Sequence, residues 1–255
     1  MPSMQSPGVV LVTGGTGAIG SAVCQLLAAS GHNVAFTYRK SLEASNHLLA
    51  EIRATGSSAL SRALELTNAG EVASFVDEVS KKLGPISSFV HAGGPFVSQH
   101  FVSHVEPGQM SRHLEDEVIG FFHVARACLS QLRANHGSIV AVTTVATRRF
   151  PKRDVLSSAP KAAIEALVRA IASEEGRFGV RANCVGPGIL SEGMAMELIE
   201  SDQFDEAARE RALDAIPLHR FGTALDVAQL VSFLVSERST YISGQMIDVD
   251  GGYAL

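Results

Sequence analysis

A glycine-rich turn near the N-terminus carries the first chemistry that the sequence suggests. The run from Thr13 to Gly20 holds four glycines and directly follows a short apolar run at Val9–Val12. Glycines allow a tight turn and let backbone N–H groups approach a pyrophosphate closely, and a helix that begins inside the run adds its dipole. A plain strand-to-helix turn is the alternative. The residues that we assign to phosphate binding are Gly14, Thr16, Ala18, Ile19 and Gly20.

The end of the second predicted strand indicates which dinucleotide binds. A site for NAD usually has an acid at this point, hydrogen-bonded to the ribose hydroxyls. This chain has Tyr38, Arg39, Lys40 and Ser41 there, and its first acid is Glu43. Arg39 is suited to stack on and pair with a 2′-phosphate. These residues favour NADP, with a solvated basic loop as the alternative.

Short β-branched runs alternate with longer segments of helical period, and these elements must position the turn. The predicted strands are Val9–Val12, Asn33–Thr37, Ala59–Leu64, Ile86–Val90, Ser138–Thr143, Val180–Val185 and Met246–Val249. The predicted helices are Ala18–Ser30, Leu42–Thr55, Glu71–Leu83, Gln109–Ala134, Lys161–Glu175 and Asp226–Ser236. Repeated βα units predict an α/β fold of the Rossmann type, a doubly wound parallel sheet with helices on both faces. With no linker or repeat visible, residues 1–255 are expected to form one domain.

Composition argues against several classes of partner. The 255 residues are 46% hydrophobic and 18% charged, with a formal net charge of −5, so nucleic acid and membrane surfaces have no electrostatic support as partners. Three widely spaced cysteines form no disulfide framework, which favours a reducing compartment. We also find no signal peptide and no apolar stretch of membrane-spanning length. We therefore expect a cytoplasmic protein.

With these motifs in view, the chain resembles the short-chain dehydrogenase/reductase family over essentially its whole length. Thr13 to Gly20 is similar to the family's TGxxxGxG turn, with Ala18 in place of the middle glycine. The resemblance implies a strand order of 3-2-1-4-5-6-7 and a nicotinamide cofactor. The C-terminal segments 242–245 and 248–252 are similar to the family's signature there. The family resemblance implies further cofactor contacts. These are Glu65 and Leu66 for adenine, Ala92 and Gly93 of the segment similar to the family's NNAG, and Pro187 and Gly188 beneath the nicotinamide.

The resemblance also locates an active site, which differs from the family's. Family members have a serine at the end of strand five, a tyrosine thirteen residues later, and a lysine four residues after that. Here the three positions hold Thr144, Ser157 and Lys161. Glu117 aligns with the family's asparagine, and Glu192 aligns with a threonine that often meets the carboxamide. Thr144, Ser157 and Lys161 are the predicted catalytic residues, and Lys161 is also expected to bind the ribose.

The missing tyrosine leaves three functions open. Ser157 is a ring shorter than tyrosine and far less acidic, and a lost general acid costs roughly 10²–10⁴-fold in rate. The alternative proton donors are a water held by Ser157 and Lys161, the side chain of Asp154, and the side chain of His91. The first interpretation is an NADPH-dependent oxidoreductase that acts on a carbonyl or alcohol. The others are an NADP(H)-binding protein without redox turnover and a non-redox cyclase or dehydratase.

Other polar and apolar clusters suggest the partners. Arg148, Arg149, Lys152 and Arg153 follow strand five, where they could hold an anionic group of a small-molecule substrate or form a solvated loop. His100 and His104 lack a third ligand nearby, so we predict no metal site. Met194, Met196, Leu198 and Ile199 suggest a substrate lid near residues 190–215, and packing of a surface helix is the alternative. Residues 162–172 are apolar on nearly all sides, which predicts a homo-oligomer, a tetramer or a dimer.

Overall fold

A parallel sheet of seven strands organises the part of the chain that this computed structural model describes, residues 8–193 and 206–255. The strands are β1 (Val9–Thr13), β2 (Asn33–Tyr38), β3 (Ala59–Ala63), β4 (Ile86–His91), β5 (Ser138–Val142), β6 (Arg181–Pro187) and β7 (Met246–Val249). Their order is β3-β2-β1-β4-β5-β6-β7, which confirms the predicted Rossmann-type fold and strand order. All five residues of β1 are buried, as expected for a strand covered on both faces.

Helices cover the sheet, and local sequence signals explain where several of them begin. They are α1 (Ala18–Ala29), α2 (Leu42–Ala54), α3 (Ala69–Leu83), α4 (Pro107–Leu114), α5 (Gly120–Ala134), α6 (Ala146–Arg149), α7 (Val155–Glu175), α8 (Glu206–Asp214) and α9 (Ala224–Val235). The Asn68 side chain accepts two N–H bonds at the start of α3. Thr223 and Asp226 form a reciprocal capping box at the start of α9.

Two apolar clusters form the core, one on each face of the sheet. Phe75, Phe89 and Phe121 belong to one cluster, and Leu27 and Phe36 belong to the other. Each cluster removes large apolar side chains from water, the main stabilising term in folding. Within the two described ranges, no helix combines the length and apolarity needed to cross a bilayer.

Two predicted helices differ from the observed ones by more than two residues or by a break, and both differences affect the site. The stretch predicted as one helix over Gln109–Ala134 is divided, because Glu115–Ile119 adopts a π-helical turn between α4 and α5. Such widened turns often occur at functional sites. The helix predicted to begin at Lys161 begins at Val155, so it includes Ser157 in its first turn. The short helices α6 and α8 were not predicted.

Candidate active site

The glycine-rich turn lies at the carboxyl edge of the sheet, between β1 and β4. Thr13 of β1 is in register with His91 of β4. The order of strands reverses direction at this pair. In doubly wound folds, ligands bind in the crevice at such a switch point. The fold therefore places the predicted phosphate-binding residues where this architecture takes its ligands.

Close packing within the turn requires glycine at specific positions. Gly14 has a φ of 69°, and a Cβ on it would lie 2.5 Å from the Cα of Gly93. A Cβ on Gly20 would overlap the carbonyl oxygen of Gly14. Gly17 is the N-cap of α1 and supplies no side-chain acceptor, so the first N–H groups of that helix are available to an anion. The turn thus fits a pyrophosphate.

A cleft beside the turn brings together many of the residues predicted to hold the adenosine. The predicted residues that line it are Gly14, Tyr38, Arg39, Glu65, Leu66 and Gly93. The cleft also contains residues outside the predicted set, namely Thr37, Leu64, Thr67, His91, Gly94 and Asp116. Asp116 belongs to none of the predicted cofactor motifs, although it stands next to Glu117 in the sequence. The π-helical turn places it at this cleft.

Other predicted cofactor residues lie around the cleft. Thr16, Ala18 and Ile19 are half-buried at the start of α1. The Ala92 N–H donates to the carbonyl oxygen of Thr13 over 3.2 Å, which holds the segment after β4 against the turn. The Gly188 N–H donates to the carbonyl oxygen of Val249 over 3.0 Å. The segment that carries Pro187 and Gly188 is thereby fixed against the end of β7.

Arg39 is the basic residue of the β2 end that lines the cleft. Its Nη2 lies 3.2 Å from Asp116 Oδ2, and its Nε lies 3.7 Å from Glu65 Oε1. Lys40 is exposed, and the Ser41 hydroxyl caps α2 by accepting the Ala44 N–H. A phosphate at this position would therefore meet a guanidinium that two carboxylates already hold in place.

The three predicted catalytic residues lie just after β5 and on α7. Thr144 is the second residue after β5, and its Oγ1 accepts the Ala146 N–H over 3.1 Å. Ser157 lies in the first turn of α7, where its N–H donates to the Asp154 carbonyl oxygen over 3.0 Å. Thr144, Ser157 and Lys161 are all partly buried. The side chain of Ser157 is thus one helical turn from Lys161 on the same helix.

Glu117 forms a buried ion pair with Lys161. The Lys161 Nζ lies 2.8 Å from Glu117 Oε2 and 3.0 Å from Oε1. The Glu117 side chain is 1% exposed and the Lys161 side chain 15%. The sequence placed Glu117 at the position of the family's asparagine, and the structure shows that its carboxylate takes up the charge of Lys161. The π-helical turn that carries Glu117 packs against α7 and makes this contact possible.

Asp154 adds a second carboxyl group to this cluster. It is the N-cap residue of α7, yet its side chain makes no capping hydrogen bond. Burial raises its pKa from 3.8 to about 6, and the nearby Glu117 carboxylate acts in the same direction. The positive charge of Lys161 and a hydrogen bond with Ser157 act in the opposite direction. Asp154 is therefore protonated in a large fraction of molecules at mildly acidic pH.

His91 is buried behind the same cluster. Its Nδ1 lies 2.8 Å from Thr13 Oγ1, and its Nε2 has no hydrogen-bond partner among the residues that the structure describes. Burial, together with the positive charge of Lys161, lowers its pKa to about 3. The imidazole is neutral near pH 7, which argues against His91 as a cationic proton donor.

Most of the basic cluster after β5 is already engaged. Arg148 Nε donates to Asp248 Oδ2 over 2.9 Å. The Arg149 guanidinium lies 3.9 Å from the ring centroid of Tyr253, and that of Arg153 lies 4.7 Å from the ring centroid of Phe101. Arg148 is therefore already paired with a carboxylate and is less available to a substrate anion. The guanidinium groups of Arg149 and Arg153 stack on aromatic rings and keep their charge.

The predicted lid is only partly described. Met194, Met196, Leu198 and Ile199 lie outside the described residues. Glu192, which aligns with a threonine expected at the carboxamide, is exposed. It lines a shallow groove with residues of α1 and α9, among them Gln25 and Leu225.

Comparison with known proteins identifies relatives along almost the entire chain. Residues 15–254 match a family model described as enoyl-(acyl carrier protein) reductase. The chain is 34% identical over 247 residues to the 3-oxoacyl-[acyl-carrier-protein] reductase MabA of Mycobacterium bovis. The aligned region covers 96% of this chain and 92% of that protein.

Solved structures give the same result and include both nicotinamide dinucleotides. A xylitol dehydrogenase bound to NAD⁺ superposes with a TM-score of 0.91 and 26% identity, covering 98% of this chain and 100% of that chain. A variant of actinorhodin polyketide ketoreductase with NADPH superposes with a TM-score of 0.90 and 25% identity, covering 97% of each chain.

Proposed function

Because this chain belongs to the short-chain dehydrogenase/reductase family, we propose that it is an NADP(H)-dependent oxidoreductase with a non-standard active site. Its substrate is a small molecule with a carbonyl or alcohol group. The observation that carries this proposal is the glycine-rich turn at the switch point, with an open helix N-terminus and a cleft that Arg39 lines. These features suit a dinucleotide with an extra phosphate on its ribose.

The residues proposed to hold the cofactor come from the glycine-rich turn, from the ends of β2 and β6, from the segments that follow β2, β3, β4 and β6, and from α7. The reduced nicotinamide, when bound, supplies a hydride. Lys161 holds the ribose, and Thr144 orients the carbonyl of the substrate. The proposed cofactor residues are Gly14, Thr16, Ala18, Ile19, Gly20, Tyr38, Arg39, Lys40, Ser41, Glu65, Leu66, Ala92, Gly93, Lys161, Pro187 and Gly188.

The preference for NADP(H) over NAD(H) rests on the end of β2. No acid is present there, and Arg39 faces the cleft in which a 2′-phosphate would lie. One solved relative carries NAD⁺ and another carries NADPH, so the family alone does not decide the cofactor. The contacts of Arg39 with Asp116 and Glu65 hold the guanidinium in position, but they also compete with the phosphate.

Titration calorimetry with NADPH and NADH tests this preference directly. We expect NADPH to bind more tightly and Arg39→Asp to lose that preference, because the substitution replaces a phosphate partner with a repelling charge. Asp116→Asn is expected to strengthen NADPH binding, because it removes one competitor for Arg39. Equal affinities for the two cofactors, or an Arg39→Asp variant that still prefers NADPH, would reject the assignment.

An NADP(H)-binding protein without redox turnover is the second candidate. Ser157 without a second proton source is far less acidic than a tyrosine, and Glu117 takes up the charge that Lys161 would offer to a proton donor. Both observations favour a protein that binds NADP(H) without transferring a hydride to or from it. The same cleft in a regulatory subunit would explain the intact turn.

The two candidates are separated by following NADPH absorbance with a panel of carbonyl substrates. Oxidation of NADPH by the purified protein, lost on addition of an excess of NADP⁺, supports the oxidoreductase. Binding without oxidation supports the second candidate. If neither NADPH nor NADH binds, both candidates are rejected, and a non-redox cyclase or dehydratase becomes the better explanation.

Three further proposals concern the whole chain. Residues 1–255 form one dinucleotide-binding domain, in which a lid near residues 190–215 covers the substrate. The protein assembles as a homo-oligomer, a tetramer or a dimer. The protein works in the cytoplasm, a proposal supported by its three buried cysteines, which are all free thiols.

A further inference from the structure

Three polar side chains form one line along the first two turns of α7. Asp154, Ser157 and Lys161 follow the spacing i, i+3 and i+7, so all three lie on one face of the helix. The two side chains of Asp154 and Ser157 are neighbours across the start of the helix, and the Ser157 hydroxyl lowers the pKa of the Asp154 carboxyl. Ser157 stands between Asp154 and Lys161 along this face. The order of the three residues is that of a short proton path, with an acid at its start and the predicted catalytic residues after it.

The Asp154 carboxyl has no evident structural role at this place. A carboxylate at a helix N-cap usually accepts N–H groups of the first turn. Here the Asp154 side chain makes no such bond, and the Ser157 N–H donates to the Asp154 backbone carbonyl over 3.0 Å. The side chain is left turned toward the cluster, partly buried and close to a second carboxylate, Glu117. Capping of α7 therefore does not explain why this position carries an acid.

The backbone holds Asp154 in place. A single parallel bridge joins it to the segment before α4, with the His100 N–H donating to the Arg153 carbonyl oxygen over 3.1 Å. An acid on an anchored backbone is held in a fixed position relative to its neighbours, which efficient proton transfer requires.

We propose that Asp154 is the proton source that replaces the missing tyrosine, and that Ser157 delivers its proton to the substrate. This inference rests on the oxidoreductase proposed above. The Ser157 hydroxyl gives its proton to the substrate oxygen and takes one from the Asp154 carboxyl. The carbonyl carbon receives the hydride of the reduced nicotinamide, and the electron pair of the C=O π bond moves to the oxygen. The products are an alcohol, the oxidised cofactor and an Asp154 carboxylate.

The charges around Asp154 suit this role. The groups that face it are Lys161 on its own helix and Glu117 on the π-helical turn. Arg153 precedes it with its guanidinium stacked on a phenyl ring, and His100 lies on the bridging segment. Glu117 pairs with Lys161 and partly offsets the effect of the ammonium on the Asp154 pKa. Burial raises the pKa of Asp154 to about 6, which provides a protonated donor at mildly acidic pH and in a minority of molecules at pH 7.

The test combines NMR titration of side-chain carboxyl carbons with pH profiles of NADPH oxidation. In the cofactor-free protein, the Asp154 signal is expected to titrate near pH 6. It is expected to be absent in Asp154→Asn and to titrate at higher pH in Ser157→Ala. With NADPH and a carbonyl substrate, kcat/KM of the parent should fall about tenfold for each pH unit above that midpoint. Asp154→Asn should lower kcat/KM by about 10²–10⁴-fold and remove this dependence on pH.

Two further variants keep the outcomes distinct. Ser157→Ala should lower kcat/KM while leaving Asp154 able to titrate, because it breaks only the delivery step. Asp77→Asn, at an exposed position on α3, is the control and should behave as the parent does. A parent that turns over, together with an Asp154→Asn variant of unchanged rate and pH profile, overturns the role of Asp154 and leaves the oxidoreductase intact. A parent that oxidises no NADPH overturns both.

Discussion

The ion pair between Glu117 and Lys161 is the residue contact that most changes the expected chemistry. Both oxygens of a fully buried carboxylate lie within hydrogen-bond distance of one ammonium. The pair is closely matched in geometry, which offsets the desolvation cost of burying two charges. Lys161 therefore stabilises the fold by pairing with Glu117, in addition to its proposed contact with the cofactor ribose.

Removing Lys161 alone is expected to destabilise the protein strongly. Lys161→Ala leaves the Glu117 carboxylate buried without a partner, which costs about 3–5 kcal/mol of unfolding free energy. The double variant Glu117→Gln/Lys161→Met should recover most of that loss, because no buried charge remains. Urea denaturation of the three proteins measures both effects.

An exposed ion pair provides the matched control. Lys82 pairs with Glu78 on the surface of α3, with the Lys82 side chain 60% exposed. Lys82→Ala should cost less than about 1 kcal/mol, as exposed pairs do. A Lys161→Ala variant as stable as Lys82→Ala would show that the buried pair does not form. In the folded fraction, we also expect Lys161→Ala to bind NADPH more weakly.

Asp154 should make stability depend on pH in a particular direction. Its pKa is raised from 3.8 to about 6 in the folded protein, so the folded state binds this proton more tightly than the unfolded chain. The associated stabilisation is complete below the unfolded value and is lost as pH rises through about 6. Asp154→Asn carries no group that ionises, so its unfolding free energy does not fall in this pH range. Near pH 8 the variant should be more stable than the parent by about 1–2 kcal/mol, a value reduced because Asp154 is partly exposed.

Thermal unfolding at two pH values measures this effect. For a chain of this size, Tm should rise by about 2–4 °C for each kcal/mol. The difference between Asp154→Asn and the parent should vanish below about pH 4, where the parent carboxyl is protonated in both states. A difference of equal size at both pH values would show that the titration of Asp154 does not cause it.

At the scale of elements, the π-helical turn and the early start of α7 together build the site. Glu115–Ile119 interrupts the long helix before α5 and packs against α7. The first turn of α7 carries Ser157 because the helix begins at Val155. A regular helix in place of the π turn would rotate Glu117 relative to the residues that follow it, because each widened turn contains an extra residue.

Restoring a tyrosine on α7 tests what these two elements preserve. Ser157→Tyr places a phenol one turn from Lys161, and it should raise NADPH oxidation with small activated ketones. Glu117 limits this gain by holding the ammonium, so Ser157→Tyr/Glu117→Asn should exceed the single variant by about tenfold. Steady-state NADPH consumption, at matched folding by circular dichroism, gives the comparison.

Ser157→Phe is the control for this experiment, because it adds the same ring without the hydroxyl. Equal rates for the Tyr and Phe variants would show that the ring itself, and not its acidity, changes the rate. A parent faster than Ser157→Tyr on its own substrate would show that Ser157 has a role of its own, which agrees with delivery of a proton from Asp154.

At the scale of the whole molecule, α7 exposes small apolar residues. Ala162, Ala166 and Ala170 are exposed at spacings of four along the helix. On α5, Phe122 is also exposed, with 45% of its surface accessible. Small side chains let two helices approach closely, and an isologous pairing of this face would cover it. The surface therefore supports the proposed oligomer.

Charge placed on this surface should dissociate the oligomer. Ala166→Arg would put two guanidinium groups at the centre of a two-fold interface, where they repel each other and lose hydration. Light scattering at micromolar concentration is expected to give a dimer or tetramer for the parent and a smaller species for Ala166→Arg. Ala73→Arg, at an exposed alanine of α3, should leave the mass unchanged. A monomeric parent would refute the proposal.

The sequence by itself determined the elements and the turn, because their signals are local. Apolar runs predicted all seven strands to within a few residues, and glycine spacing located the turn after β1. Each of these depends on residues within about ten positions of one another. The alternation of strands and helices then restricted the sheet to a parallel arrangement. The family motifs supplied the order of strands and the positions of Thr144, Ser157 and Lys161.

Only the tertiary structure decided which charges meet. Glu117 and Lys161 are 44 positions apart, Arg39 and Asp116 are 77 apart, and no local pattern encodes either contact. The start of α7 was also missed, because Pro160 indicates a helix boundary when it is considered alone. Burial of Leu156 on the same helix face as Ile164 outweighs that local preference and extends the helix back to Val155. Packing, which sums over distant residues, thus determines the electrostatics of the site.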